Sequence, residues 1–428
     1  MSETVMVQAQ PQRRQGIRAL SAYKSYLLLM IAKMISHFGD SIDSIAYSWM
    51  VYMITGSEIL MGTLFAFNFI PGIAFSLFTG VLVDRWPKKK ILIIAASGRG
   101  VIVTLTALLY LTNHLQPWHL FIFTFINSTF QCFSNPAEMS IVPRLLPKEL
   151  LLTGNSITAS ATRTAELGGL AVAGGLIALV GISGSMLINA ATFFIAAILF
   201  LGIRFNQAVK SAVSPNGESP PKAAASYWKE FLSGFHYVRK QSMLVVTISA
   251  GAFVNLCLTP WNVLQPVYVK EILHSGPFGL SLLGISLVTG MVLSGIYISQ
   301  KGSAFKKSTL IVFGYLLLGV TYSLLYMPAF IGFYPLYTAA ICCFGMGFAI
   351  SFINTPVSTF MMETTPHDML GRIGALSSMI GTCTIPLGGL IAGYAGSVMD
   401  ANHVFLIFGI LMMIPGLLLL TQKKFMSV

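Results

Sequence analysis

Apolar residues run through this chain in twelve long stretches separated by short polar breaks, and that rhythm governs every later inference. The stretches cover residues 25–54, 58–83, 89–112, 117–142, 153–181, 183–204, 242–272, 277–300, 307–328, 333–363, 370–398 and 402–422. A helix needs about 20 mostly apolar residues to cross a bilayer, so each stretch predicts one membrane span. Those beginning at 25, 153, 333 and 370 are longer than a bilayer requires, which predicts tilt or extension beyond it. The first twenty-four residues are polar, lack the apolar segment of a signal peptide and read as a disordered tail.

The longest polar break, 206–225, contains Ser214-Pro215-Asn216-Gly217-Glu218-Ser219-Pro220-Pro221, the composition of a flexible linker. It divides the chain into a tail (1–24), a six-helix bundle (25–204), a linker (205–241), a second six-helix bundle (242–422) and a short tail (423–428). Late in the linker, Tyr227, Phe231, Leu232, Phe235 and Val238 recur at helical spacing against Lys229, Glu230, Arg239 and Lys240, predicting a helix on the membrane surface.

The two bundles repeat each other. Asn135-Pro136 followed by Pro147-Lys148-Glu149-Leu150-Leu151 parallels Asn354-Thr355-Pro356 followed by Pro366-His367-Asp368-Met369-Leu370, and Gly168-Gly169-Leu170 parallels Gly388-Gly389-Leu390. The fold class is therefore an all-α membrane protein, with twelve transmembrane helices in two parallel six-helix repeats. Such repeats predict halves that rock about a binding site between them near the midplane. The alternative is an inherited repeat in a non-transporting scaffold or sensor.

Charge adds sidedness. Of the 26 Lys and Arg residues, 22 fall in alternate gaps, and the intervening gaps hold only Lys270. Cytoplasmic loops retain Lys and Arg, which assigns the basic gaps and both termini to the cytoplasm, in a multi-pass protein of the cell membrane. Only 9% of residues are charged, against about 25% in a soluble domain. The net charge of +12 sits in short membrane-flanking loops, which fits anionic lipid headgroups and excludes the basic face of a nucleic-acid binder. The five cysteines lie in apolar segments without metal-ligand spacing and read as small buried hydrophobes.

Between the second and third spans stands Gly80-Val81-Leu82-Val83-Asp84-Arg85-Trp86-Pro87-Lys88-Lys89-Lys90. Gly80 permits close helix approach, and Asp84 near a helix N-terminus is favoured by the dipole. The stretch resembles the signature loop of the major facilitator superfamily, except for Pro87 where that pattern usually has glycine. The resemblance implies that Asp84 and Arg85 join a conformational latch with the other half, and Lys88 and Lys89 fall in the same gating loop. The competing reading is that the lysines only orient the protein. Pro136-Ala137-Glu138-Met139-Ser140-Ile141-Val142-Pro143-Arg144, Asn155-Ser156 and Ser36-His37-Phe38-Gly39-Asp40 resemble the subgroup holding macrolide-efflux proteins and the enterobactin exporter. Antiporters of the superfamily often carry Gly-Pro-x-x-Gly-Gly in the fifth span. Here Gly168-Gly169-Leu170-Ala171-Val172-Ala173-Gly174-Gly175 lacks the proline, and close helix packing is the preferred reading.

Ionisable residues inside spans are costly and therefore candidates for function. In the first span Lys33, His37, Asp40 and Ser44 share one face, while Asp43 points elsewhere. Asp40 is the first choice for a proton-coupling carboxylate, with His37, Lys33 and Asp43 as further candidates; a permanent Lys33–His37–Asp40 packing network is the other reading. Arg163 and Glu166 are spaced for an intramembrane ion pair. Glu138 faces the cavity or reaches the inner surface, and Arg99 and Glu363 are placed near cytoplasmic span ends as gating or capping groups. The resemblance also assigns cavity-facing helices, on which Trp49, Tyr52, Asn68, Phe69, Asn135, Glu138, Trp261, Asn262, Gln265 and Asn354 are the available cargo contacts. Trp261, Gln265 and Tyr268 share a face, with an outer aromatic belt favoured for Tyr268.

No phosphate-cradling loop, metal-spaced His and Cys cluster or serine-nucleophile elbow occurs, so no enzyme and no cofactor are expected. The resemblance implies a monomeric secondary active exporter of an amphipathic small molecule, a macrolide-like drug for example, with a proton gradient as its energy source. A siderophore or lysophospholipid transporter of the same fold is the alternative within transport.

Overall fold

A computed structural model of the protein describes residues 20–204, 235–301, 305–330, 334–366 and 369–422. The expectations for residues 1–19 and 423–428, and for the linker through residue 234, lie outside the described residues. Residues 235–240 are helical, and Val238 is buried beside Leu244, Ile248 and Phe360.

The first half comprises α1 (Lys24–Thr55), α2 (Glu58–Phe67), α3 (Ile70–Arg85), α4 (Lys88–Leu111), α5 (Pro117–Leu145) and α6 (Lys148–Leu201). The second comprises α7 (Ser242–Val267), α8 (Pro277–Lys301), α9 (Lys307–Ser323), α10 (Pro335–Thr364), α11 (Leu370–Val398) and α12 (Ala401–Thr421). Helices and predicted spans do not match one to one. The second span is broken at Asn68 and Phe69 into α2 and α3, while the fifth and sixth join as the two arms of α6. The arms meet at Gly181, whose φ of 72° is one that glycine adopts without steric cost. Gly56 (φ 55°) ends α1 in the same left-handed region and donates its backbone N–H to the Tyr52 carbonyl.

Nine helical stretches among the described residues are long and apolar enough to cross a membrane by composition alone, the whole of α6 counting as one. The long helices that fall short are α1 and α5. These carry Lys33, His37, Asp40, Asp43, Asn127, Gln131 and Glu138, side chains that the first half turns toward one another and toward the cavity.

The repeat extends from sequence to packing. Within the first half α1 packs on α6, α3 on α5, α4 on α5 and α4 on α6; within the second α7 packs on α11, α8 on α10, α9 on α10 and α9 on α12. Small residues make matching contacts possible. A Cβ added at Gly169 would stand 2.5 Å from the Phe38 carbonyl oxygen of α1, and one at Gly388 would stand 2.8 Å from the Leu256 carbonyl oxygen of α7.

The principal contacts between halves pair α2 with α11 and α6 with α8, at the ends of the bundle far from both termini. A Cβ at Gly62 would approach the Gly389 carbonyl oxygen to 2.3 Å, and one at Gly174 would lie 2.7 Å from the Phe278 Cα. The far side is thus closed by backbone on backbone. There Tyr52 of α1 also donates a hydrogen bond to Glu271, on a single π-helical turn (Tyr268–Ile272) that follows α7. Lys270 of the same turn lies 4.9 Å from the Tyr52 ring centre.

Overpacking a close helix contact costs about 1–3 kcal/mol. Gly62→Leu is therefore expected to lower the thermal unfolding midpoint of the purified protein, whereas Gly175→Leu, where an added Cβ meets nothing within 4 Å, leaves it unchanged. Equal effects of the two substitutions would contradict the glycine-mediated closure.

Candidate functional site

A cavity of about 620 Å³ lies between the halves, lined mostly by α1, α2, α4 and α5 and closed from the other half by Asn262, Gln265, Leu280 and Gly284. Its walls mix Phe65, Phe123, Leu170 and Met186 with His37, Asp40, Asp43, Tyr47, Asn68, Arg99, Asn127 and Gln131.

Arg99 organises the polar wall. Its Nη2 stands 3.0 Å from Asp40 Oδ1, its Nε donates to Asn127 Oδ1 at 3.0 Å, and its Cζ sits 4.2 Å above the ring of Phe193 on the second arm of α6. Placing Arg99 near a span end is therefore corrected: it stands eleven residues into α4, about 16 Å along the axis at 1.5 Å per residue. The rise alone carries that information. A planar guanidinium bridges an acid, an amide and an aromatic face at once, which a lysine cannot do.

The structure also distributes the first-span face differently from its helical spacing. Asp40 pairs with Arg99, Lys33 Nζ lies 2.7 Å from Glu138 Oε2 of α5, and His37 Nδ1 lies 3.0 Å from Glu166 Oε1 of α6. The self-contained Lys33–His37–Asp40 network is replaced by three interhelical pairs, because in a bundle the nearest partner is often on the next helix. Arg163 Nη1 donates to Glu166 Oε2 at 2.7 Å, so both His37 and Arg163 lie against the Glu166 carboxylate. Glu138 is held by Lys33, and Glu363 pairs with Lys307 within the second half.

Asp43 does not point away. It lines the same cavity as Asp40, and its Oδ1 is buried without a hydrogen-bond partner among the described residues. Nearby Asn189 of α6 is fully buried and turns its side-chain amide to the Asp43 carboxylate. Two carboxylates therefore share this wall with one cation, Arg99, and Asp40 engages it. Neither Asn127 nor Asn189 was among the sequence candidates, although an asparagine in an apolar span is itself a signal.

The proposed cargo contacts divide. Asn68, which accepts from Ser128 Oγ, Asn262 and Gln265 line the cavity. Trp49 is buried in the core. Phe69 packs on Phe65 with the rings tilted and their centres 5.5 Å apart, and Asn135 is exposed outside the cavity wall. Trp261 is corrected to a core residue, 5.6 Å from the Phe405 ring. Tyr268 is also core rather than belt: it is fully buried, and its hydroxyl donates to the Leu325 carbonyl at 2.7 Å. Asn354 lines a separate pocket in the second half.

In the loop after α3, Asp84 and Arg85 end the helix, and α4 begins at Lys88. The side chains of Asp84 and Arg85, and Gly80, lie outside the described residues. Lys88 is buried. Lys89 Nζ donates to the carbonyls of Leu201 and Ile203 at 2.7 and 2.9 Å, capping the end of α6 within its own half rather than reaching across to the other.

Comparison with known proteins gives this geometry a family. Macrolide efflux protein A of Streptococcus pyogenes is 25% identical over 362 residues, covering 83% of this chain and 85% of that protein. The enterobactin exporter EntS of Citrobacter koseri is 22% identical over 412 residues, covering 95% and 93%. A bacterial homologue of the iron transporter ferroportin, solved in an inward-facing state, has a TM-score of 0.71 over 94% of this chain and 100% of its own, at 15% identity, a likeness of fold alone. These relatives are transporters, not enzymes, and the model of the Major Facilitator Superfamily matches residues 29–386. The chain is a multi-pass membrane transporter and belongs to the Major Facilitator Superfamily.

Proposed function

We propose that this protein exports an amphipathic small molecule by alternating access, in exchange for protons. The observation that carries the proposal is the cavity between the halves, whose apolar and polar walls meet around Asp40, Asp43 and Arg99. Its volume of about 620 Å³ falls within the roughly 300–1,000 Å³ of small-molecule sites. The relatives named as a macrolide efflux protein and an enterobactin exporter support outward transport of a compound of this size.

Sidedness follows from the basic loops: the end of the bundle that holds both termini faces the cytoplasm, in the cell membrane. The closed far side is then external, and the halves part toward the cytoplasm. Arg163 supports this reading, because a side chain 80% exposed within a membrane helix must face water rather than lipid.

Asp43 supplies the coupling group. With Arg99 engaged by Asp40, a proton neutralises Asp43 without a second cation, and its surroundings change when the halves rock between wet and closed states. Asp40 holds the arginine in place and keeps the wall polar. Cargo and proton thus use one wall of one cavity, and energy passes between them there.

Transport into inside-out vesicles under an imposed pH gradient, across a panel of macrolides, dyes, siderophores and lysolipids, tests the proposal. Gradient-driven accumulation of an amphipathic compound is expected, and Asp43→Asn reduces it on the order of tenfold or more. Flux that ignores the gradient, or persists unchanged in Asp43→Asn, would overturn proton coupling through this residue.

Arg99→Met strands Asp40 and costs up to about 3 kcal/mol, the lower end for an unpaired buried charge because Asp40 retains 33% exposure. Adding Asp40→Asn recovers most of that loss. Thermal unfolding of the single and double variants measures the recovery, and additive losses would contradict the pairing.

A further inference from the structure

The alternation of basic loops has one exception: Lys270 stands alone among Lys and Arg in the gaps at the end of the bundle far from both termini. A cation there runs against the usual sidedness of membrane loops, and the structure gives it a target in the other half. Lys270 and Glu271 lie on the π-helical turn after α7, and both reach Tyr52 of α1. The Tyr52 hydroxyl donates to Glu271, while the Lys270 ammonium stands 4.9 Å from the ring centre and 3.5 Å from Met53 Sδ. Consecutive residues of an α-helix diverge by about 100°, yet these two converge on one side chain. Tyr52 is itself fixed, since it is buried and its carbonyl accepts from the Gly56 N–H at the end of α1. The second half thus holds one tyrosine of the first at two points, the hydroxyl by an anion and the ring face by a cation.

A hold that never released would stop a transporter that rocks, and an opposing force stands beside it. Glu58, the first residue of α2, lines a pocket of about 60 Å³ together with Glu271 and Asp400 of the second half. Closure therefore brings a carboxylate of one half against two of the other, and like charges at short range repel. The nearby basic groups are committed elsewhere. Lys270 is turned to Tyr52, and His403 Nδ1 lies 3.8 Å from Asp400 Oδ2.

We propose that Tyr52, Lys270 and Glu271 form a clasp that holds the far side of the cavity shut, and that Glu58 opposes it so that the clasp opens within a transport cycle. The clasp rests on the transporter reading above for its orientation and its use, whereas its effect on access to the cavity is measured without cargo or gradient. Tyr52→Phe removes the hydroxyl and keeps the ring, Lys270→Met removes the cation and keeps an apolar stem, and both favour opening. Glu58→Gln removes repulsion and favours closure.

The test places a cysteine at Leu64, a buried residue of α2 on the wall of the larger cavity, in the full-length protein. Its reaction with a membrane-impermeant maleimide is followed in right-side-out and inside-out vesicles, with adducts located by mass spectrometry so that only position 64 is counted. Leu64→Cys alone is expected to react slowly from outside. Adding Tyr52→Phe raises the outside rate by about tenfold without raising the inside rate, as loss of a hydrogen bond to a charged group implies. Adding Lys270→Met raises it by about threefold, the scale of an exposed cation–π contact, and adding Glu58→Gln lowers it. An outside rate unmoved by Tyr52→Phe overturns the clasp, and so does a rise from both sides at once, which marks loosened packing. A rise with Glu58→Gln overturns the opposing role of that carboxylate. If the sidedness of Leu64→Cys labelling is reversed while the ratios between variants hold, the orientation fails and the clasp stands. If no compound is driven by the gradient in the vesicle assay while the rates shift as stated, the export reading fails and the clasp again stands.

Discussion

Charge at membrane depth must be paired or wetted, and the arrangement of the first half follows from that constraint. Lys33 with Glu138, His37 and Arg163 with Glu166, and Arg99 with Asp40 tie α1 to α5, to α6 and to α4. Each pair joins different helices except Arg163 and Glu166, so the pairs fix helix positions as well as neutralising charge. Asp43 stands outside this pairing, on the wall of the same cavity. In the proposed mechanism this unpaired carboxylate is the one that exchanges a proton.

The second constraint is backbone proximity. Gly62, Gly389 and Gly393 let α2 and α11 touch along the main chain, and Gly174 does the same for α6 and α8. Contacts of this kind gain dispersion energy without interlocking long side chains, so they can separate and re-form as two surfaces. The ion pairs rigidify one half internally, whereas the glycines let the halves close on each other. Rocking needs both.

Much of the fold was legible because apolar length is a strong signal in a membrane protein, where backbone hydrogen bonds must be satisfied within each span. The repeat was legible from Gly168-Gly169 and Gly388-Gly389, of which Gly169 and Gly388 make matching contacts on α1 and α7. Other features were hidden for physical reasons. The break at Asn68 and the continuity of α6 through Gly181 are backbone details inside or between apolar runs. The partners of Lys33, His37 and Asp40 lie on other helices, beyond the reach of spacing along one. Trp261 and Tyr268 share a face with Gln265 in helical projection, yet the tryptophan and tyrosine pack in the core while the glutamine lines the cavity. In a helix that is apolar all round, periodicity does not separate a core face from a lipid face or a cavity face.

The central claim is that Asp43, left without a cation by the Asp40–Arg99 pair, carries the proton that cargo exchanges. It is tested most directly by following pH in a weakly buffered solution of the purified protein as an exported compound is added. The account predicts net proton release by the wild type and none by Asp43→Asn at matched occupancy. Equal release from both proteins, or cargo binding without any release from the wild type, would contradict it.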